Sequence, residues 1–297
     1  MESINSKEIY NEIDLINLSD DLVPQKIEEK VLETLSNSIE KKSVLGMDIV
    51  GYSQYSTERQ VLVPILFRSI YWLTCRNIIE SESFFFPEYK NEEKFTENFI
   101  DTGDGGFQIF ENPIQSLIFS IYLQLNIKRY NSQGRNKNLR LFLGKVNFRF
   151  SITFDDIYKI DESYYGTAII NCARILSKDS LDRFLIDEKT FDWFDHHLHG
   201  IENLKNLEKE DLPKIDFFSS HDNAKITSLL ANKDDKESAF VSSDVQRIGN
   251  IRSKNSIISI YNYHAQVMLF SRDHVLADKF SKFTCTLGNL NLSGITD

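Results

Sequence analysis

Positive charge is the first thing in short supply. The chain has 34 Lys and Arg against 44 Asp and Glu in 297 residues, a formal net charge of −10. A surface that grips a nucleic-acid backbone is ordinarily basic, so this balance argues against nucleic acid as the partner. It leaves room for a single nucleotide, whose phosphates need only a few local cations and divalent ions. Cysteine is scarce too: Cys75, Cys172 and Cys285 lie far apart with no paired spacing, which excludes a disulfide framework and fits a reducing compartment. No window approaches the ~18 uninterrupted apolar residues of a membrane span, and the first thirty residues carry no apolar leader core. The expectation is a cytoplasmic protein without membrane contact. No internal repeat and no long low-complexity tract is visible.

What is present is core-forming material. Hydrophobic residues make up 41% of the chain, with 22 Phe and 12 Tyr, enough for one large domain or a domain with an appendage. Helical spacing runs from about Pro24 to Lys41, then through Thr57 to Ile79, where Pro64 marks either a first turn or a kink. Ile114 to Ile127 reads as another helix. "VLGMDIVGYS" (44–53) reads as a buried strand. "NFIDTGDGGFQIFENP" (98–113) reads as strand, Gly-rich turn and strand, and "LRLFLGKVNFRFSITF" (139–154) alternates like a strand. "TAIINCARILSKDSLDRFLI" (167–186) carries helical spacing, followed by short strands and loops to about Ser220. A Lys/Asp-rich link around Asn232 to Glu237 precedes a strand-like run from Ile257 to Phe270. The order over residues 43 to about 190 predicts a ferredoxin-like βαββαβ sandwich of the α+β class.

Two acids stand out. Asp48 is the only charge in an apolar strand, and Asp104 sits in the turn of "TGDGGF". Read singly, the first is a cap or a satisfied core group and the second a hairpin residue. If their strands are neighbours, the two carboxylates can converge, and two facing carboxylates need cations, protons or Lys/Arg between them. Paired magnesium ions are the usual solution in enzymes that displace at phosphorus. Gly51 and Gly103 to Gly106 would then leave room for phosphate oxygens.

These stretches resemble the class III nucleotidyl cyclases. "LGMDIVGYS" is similar to the family's first metal motif and "GDGGFQIF" to its second. "YYGTAIINCARIL" is similar to its later Gly…Asn…Arg helix, and "IENLKNL" to the strand ending in its phosphate-contacting Lys. The resemblance implies a cyclase domain over residues 43–220, a helical extension at 1–42 and an extension at 221–297. It implies that Asp48 and Asp104 hold two divalent ions, Mg²⁺ or Mn²⁺, with the Ile49 carbonyl completing one shell. Arg174 would stabilise the α-phosphoryl charge, Lys205 would hold the triphosphate and Asn171 would orient the ribose. Metal acids and Asn–Arg pair would come from opposite subunits of a head-to-tail homodimer acting on a nucleoside triphosphate.

Two departures qualify the resemblance. Asn171 precedes Arg174 by three residues where the family has four, so either Asn171 keeps its role or Ile170 stands in the family's Asn position. The places at which purine cyclases read the base hold Ile100 and Ser163, neither of the usual pairs. This chain therefore looks most like the stand-alone pyrimidine cyclases of bacterial Pycsar antiphage systems, making cyclic UMP or cyclic CMP for a separate effector protein. Tyr52, Ile100, Ser163, Gly103 and Gly105 are the expected pocket residues, although Tyr52 reads more readily as a packing residue. The alternatives are a purine cyclase with an unusual pocket and a non-catalytic cyclase domain that binds nucleotide. "DHHLHG" (195–200) reads as a solvated loop, since no further ligand completes a tetrahedral metal set.

Overall fold

The computed structural model describes residues 3–16, 22–132, 136–201, 204, 240–253, 256–272 and 280–295. A two-residue strand, β1 (Ser3–Ile4), leads into helices α1 (Ser6–Asp14) and α2 (Val23–Ser38). Asn5 starts α1 because its side chain accepts from the N–H groups of Lys7 and Glu8, and Pro24 opens α2 where a missing N–H costs nothing. β1 is tied to the body of the protein through parallel pairing with Lys159 and Ile160.

The apolar stretch around Asp48 is strand β2 (Glu40–Ile49), followed by α3 (Thr57–Ser81), with Pro64 in its interior, and by α4 (Glu92–Glu97). The Gly-rich segment makes the hairpin β3 (Phe99–Asp101) and β4 (Gly105–Phe110). Then come α5 (Pro113–Ser132), α6 (Lys137–Leu143), β5 (Phe148–Ile160), β6 (Ser163–Tyr165), α7 (Thr167–Lys178), β7 (Phe184–Asp187) and α8 (Glu188–Leu198). Strands β5, β2, β4 and β3 lie side by side in that order, each antiparallel to its neighbour. That is the order of a βαββαβ sandwich, so the α+β ferredoxin-like arrangement expected from the pattern is present. β7 joins β5 in parallel through the crossover helix α7.

Alternation along β2 sends Leu45, Met47 and Ile49 to one face and Val44, Gly46 and Asp48 to the other. The first face meets α3 and α5 in the main core, around the fully buried Phe67, Phe110 and Phe119. The second meets α7. A Cβ at Gly46 would lie 2.6 Å from both Cys172 Sγ and Leu176 Cδ1, so α7 rests directly on the backbone of β2.

Three further strands, β8 (Phe240–Ser253), β9 (Ser256–Arg272) and β10 (Phe280–Leu287), widen the sheet. β9 pairs with β7 through Leu185–Asp187 and carries β8 and β10 as antiparallel partners. The described part of the C-terminal extension thus adds strands to the sheet. The Lys/Asp-rich link lies outside the described residues.

Three local expectations change. The helical reading of 167–186 stops at Lys178, and Phe184 to Ile186 belong to strand β7. The "LRLFL" half of the expected 139–154 strand is helix α6, ended by Gly144 at φ +84°, and the strand begins at Phe148. Five alternating residues suit either form, and Gly144, at a positive φ that favours glycine, ends the helix. The stretch expected as short strands and loops contains α8, capped by the Asp187 carboxylate, which accepts from Thr190 N–H at 2.9 Å. His196 and His197 close this helix rather than lying in a loop, and His199 caps it at φ +53°. His197 stacks on Trp193, ring centres 4.3 Å apart. Among the described residues no group of three or more His, Cys, Asp or Glu is placed to hold a metal ion. Among them, too, no helix is long and apolar enough to cross a membrane.

Candidate active site

Register decides what Asp48 faces. It lies opposite Gly105 on β4 and opposite Arg149 on β5. Arg149 is the partner that the isolated acid needs: Nε donates to Asp48 Oδ2 at 2.6 Å, and Nη2 lies 2.5 Å from the same oxygen. The two side chains are 22% and 27% exposed, a depth at which an unpaired carboxylate would be costly. Sequence reasoning missed Arg149. Its signal was there, as the one cation between Phe148 and Phe150 mirrors the one acid in the apolar run 44–49 of β2.

Asp104 is brought up by the β3–β4 turn. Its carbonyl accepts from Ile49 N–H at 3.2 Å, which seats the turn against the end of β2. Gly103 makes the turn at φ +97°, its N–H donating to Asp101 Oδ1 at 2.7 Å. Arg68 holds Asp101 in turn, with Nη2 donating to Oδ2 at 2.8 Å. The glycines have different reasons. A Cβ on Gly105 would lie 2.0 Å from the Met47 carbonyl oxygen, and one on Gly106 would lie 2.4 Å from that of Ile100. Those two are demanded by strand packing rather than by room for a ligand, whereas the space before Gly103 is open. Gly51, at φ +74°, turns the chain out of β2.

Burial raises the Asp104 carboxyl above its ordinary pKa, the neighbouring Asp48 carboxyl adds to the rise, and Arg149 opposes it. The two acids are therefore electrostatic neighbours, and among the described residues Arg149 is the cation that offsets them. The donor set is two carboxylates beside the backbone of Ile49. These are hard oxygen donors of the kind Mg²⁺ and Mn²⁺ take, so the residues present fit a divalent ion.

The other expected residues lie on separate elements. Tyr52, half-buried in a 3₁₀ turn at Tyr52–Gln54, packs with Tyr55 on the main core. Ile100, on β3, packs against the small apolar cluster of Val44, Ile109, Ile157, Ala168 and Cys172. Ser163 is exposed at the start of β6, and the next residue, Tyr164, donates its hydroxyl to Asn98 Oδ1 at 2.7 Å. On α7 the stripe Ala168, Asn171, Cys172, Ile175 and Leu176 is buried. Asn171 belongs to that stripe at 6% exposed, whereas Ile170, 52% exposed, shares the outward face with Arg174 at i, i+4. Lys205 lies outside the described residues.

No protein-family model matches the sequence, and no curated protein matches it. Solved structures of nucleotide cyclase catalytic domains are similar in fold. The adenylyl cyclase CyaB from P. aeruginosa is 12% identical, with 76% of this chain and 95% of that chain covered and a TM-score of 0.44. The guanylate cyclase domain of RhGC from Catenaria anguillulae, in complex with GTP, is 11% identical over 76% and 97%, at 0.43. The catalytic core of a rhodopsin-guanylyl cyclase with converted specificity, in complex with ATPαS, is 10% identical over 77% and 97%, at 0.45.

Proposed function

We propose that the chain is a nucleotide cyclase that converts a pyrimidine nucleoside triphosphate, UTP ahead of CTP, to its 3′,5′-cyclic monophosphate and pyrophosphate. The observation that carries this reading is the meeting of Asp48 and Asp104 at the end of β2, beside Arg149. Asp48, Asp104 and the Ile49 carbonyl would hold two divalent ions. Such ions, when bound, lower the pKa of the attacking 3′-hydroxyl and neutralise the phosphates. Arg149 keeps the Asp48 carboxylate in one orientation. Arg174, on the outward face of α7, would stabilise charge developing on the α-phosphoryl group as pyrophosphate departs, with Lys205 on the triphosphate.

The pyrimidine choice rests on Ile100, which offers no hydrogen bond to a base edge, and on exposed Ser163, with Tyr52 narrowing the pocket. The acids would come from one subunit and Arg174 from the next, in a head-to-tail homodimer. Its product would be read by a separate effector in antiphage defence. One observation favours a second reading, nucleotide binding without turnover: Asn171 faces the sheet, so the ribose contact expected of it is not presented on the Arg174 face.

The test is incubation with ATP, GTP, CTP and UTP separately, with Mg²⁺ or Mn²⁺, products identified by mass and Asp48→Ala as the blank. Cyclic UMP or cyclic CMP is expected. Cyclic AMP or cyclic GMP would keep the cyclisation and overturn the base choice. Nucleotide binding with no product would establish the second reading.

A further inference from the structure

The guanidinium of Arg149 is held at two ends. Nε and Nη2 face Asp48, while Nη1 donates to the Asp179 carbonyl at 2.6 Å. That carbonyl opens a turn, 179–183, which is locked from within. Asp179 Oδ1 accepts from Leu181 N–H at 3.2 Å and from Arg183 Nε at 2.9 Å, and Oδ2 accepts from Arg183 N–H at 2.7 Å. The Asp179 and Arg183 side chains are 1% and 2% exposed. Asp182 takes a left-handed φ of +54° to close the turn.

The turn is also clasped from outside by residues 289–293. Asn289 Nδ2 donates to the carbonyls of Leu181 at 2.6 Å and Asp182 at 3.3 Å. Arg183 Nη1 donates to the Ser293 carbonyl at 2.6 Å. Asn262, on β9, donates to the Asn289 carbonyl at 2.8 Å, and Ile295 N–H donates to Ile248 on β8 at 3.3 Å. A continuous chain of bonds thus runs from the C-terminal strands to the acid pair.

We propose that this clasp positions Arg149, so that Arg183 and Asn289 are positioning residues for the Asp48–Asp104 site, an inference that rests on the cyclase reading for its effect on turnover. A flexible Arg side chain bonded to Asp48 alone samples several rotamers. The second anchor on Asp179 selects one, and that anchor stands only where the clasp holds the turn. Partners that orient a ligating carboxylate through such contacts commonly account for about ten- to a hundredfold in activity.

The test uses full-length protein. Asn289→Ala removes two bonds to the turn without leaving a buried charge, and Arg183→Lys keeps the charge opposite Asp179 while losing the reach to Ser293. The first readout is kcat and KM for the nucleotide turned over, in wild type, Asn289→Ala, Arg149→Lys and the double variant. The second is the Arg149 Nε–H signal in ¹H–¹⁵N spectra, assigned by its loss in Arg149→Lys. Asn289→Ala is expected to lower kcat about tenfold with KM unchanged, and this loss vanishes in the Arg149→Lys background. Its Arg149 Nε–H signal shifts or broadens, as it does in Arg183→Lys. An equal kcat loss in both backgrounds, or an unmoved signal, would overturn the proposal. If wild type turns over no nucleotide, the cyclase reading falls while the spectra still decide whether the clasp positions Arg149.

Discussion

The two faces of the central sheet are built to opposite ends. The α3/α5 face is a continuous aromatic core: Phe67 meets Tyr71, Tyr71 meets Phe119, and Phe119, Phe95 and Phe110 meet one another ring to ring. The α7 face has a small apolar cluster of Val44, Ile109, Ile157, Ala168 and Cys172, and the same strand row carries charge at both ends. Lys42 is ion-paired with Glu40 at 2.6 Å and with Glu111, and Asp48 is paired with Arg149. Strand alternation lets one segment serve both purposes, with apolar packing assigned to one set of positions and charge to the ends of the set between them.

The strongest way to break this division is Asp104→Ala. Turnover is expected to fall by more than about 10³-fold, while the thermal midpoint holds or rises, because repulsion with Asp48 is relieved. Wild-type activity in that variant would end the two-acid assignment. The reciprocal change is Phe119→Ala on the aromatic face. It is expected to cost about 3–5 kcal/mol in denaturant titrations and to leave activity per folded molecule intact. A fall in kcat measured on folded protein would show that the faces are not independent.

Arg174→Ala comes next, with kcat down roughly 10²–10³-fold and nucleotide binding little changed. Mixing Asp48→Ala chains with Arg174→Ala chains should restore turnover if acids and Arg act across two subunits. Failure to recover activity would count against a composite site.

The smallest effect concerns Asp187, whose carboxyl burial pushes up to about 7 against the Thr190 bonds that lower it. The folded chain keeps this proton to about that pH, whereas an unfolded chain releases it near the ordinary Asp value of about 3.9. The stability tied to the proton is thus full below the lower value and is lost as pH rises through the higher one. Asp187→Asn, which retains a capping side chain, should be more stable than wild type by a margin that grows between those limits, to roughly 1–3 kcal/mol. A margin independent of pH would show that Asp187 is charged throughout. It would also sharpen the contrast with Asp48 and Asp104, since burial of an acid would then not by itself single out the reactive face.

Much of the architecture was legible because it is local. Asp48 stood out as a lone charge in an apolar run, the Gly-rich turn marked the hairpin that carries Asp104, and helical spacing marked α3, α5 and α7 as helices. It did not give the buried side of α3, where Val61 and Ile65 are 63% and 58% exposed while Leu66, Phe67 and Ile70 are buried. Where the local signal was ambiguous, reading failed. "LRLFL" alternates over too few residues to separate helix from strand, and α8 was hidden among polar and aromatic residues whose cap, Asp187, resembled the end of a strand.

By itself the sequence determined most of the elements and the two acids, because hydrophobic periodicity and turn chemistry act over a few residues. Only the tertiary structure decided what those acids face. Arg149 lies 101 positions from Asp48 and meets it through the pairing register of β2 and β5. The same holds for the side of α7 that buries Asn171 and exposes Ile170, which depends on how that helix settles on Gly46. It holds too for the C-terminal strands, whose place on β7 and clasp on the 179–183 turn bring segments about a hundred residues apart into contact. Periodicity tells a segment which of its faces is apolar, but register and docking between distant segments decide which polar groups those faces meet.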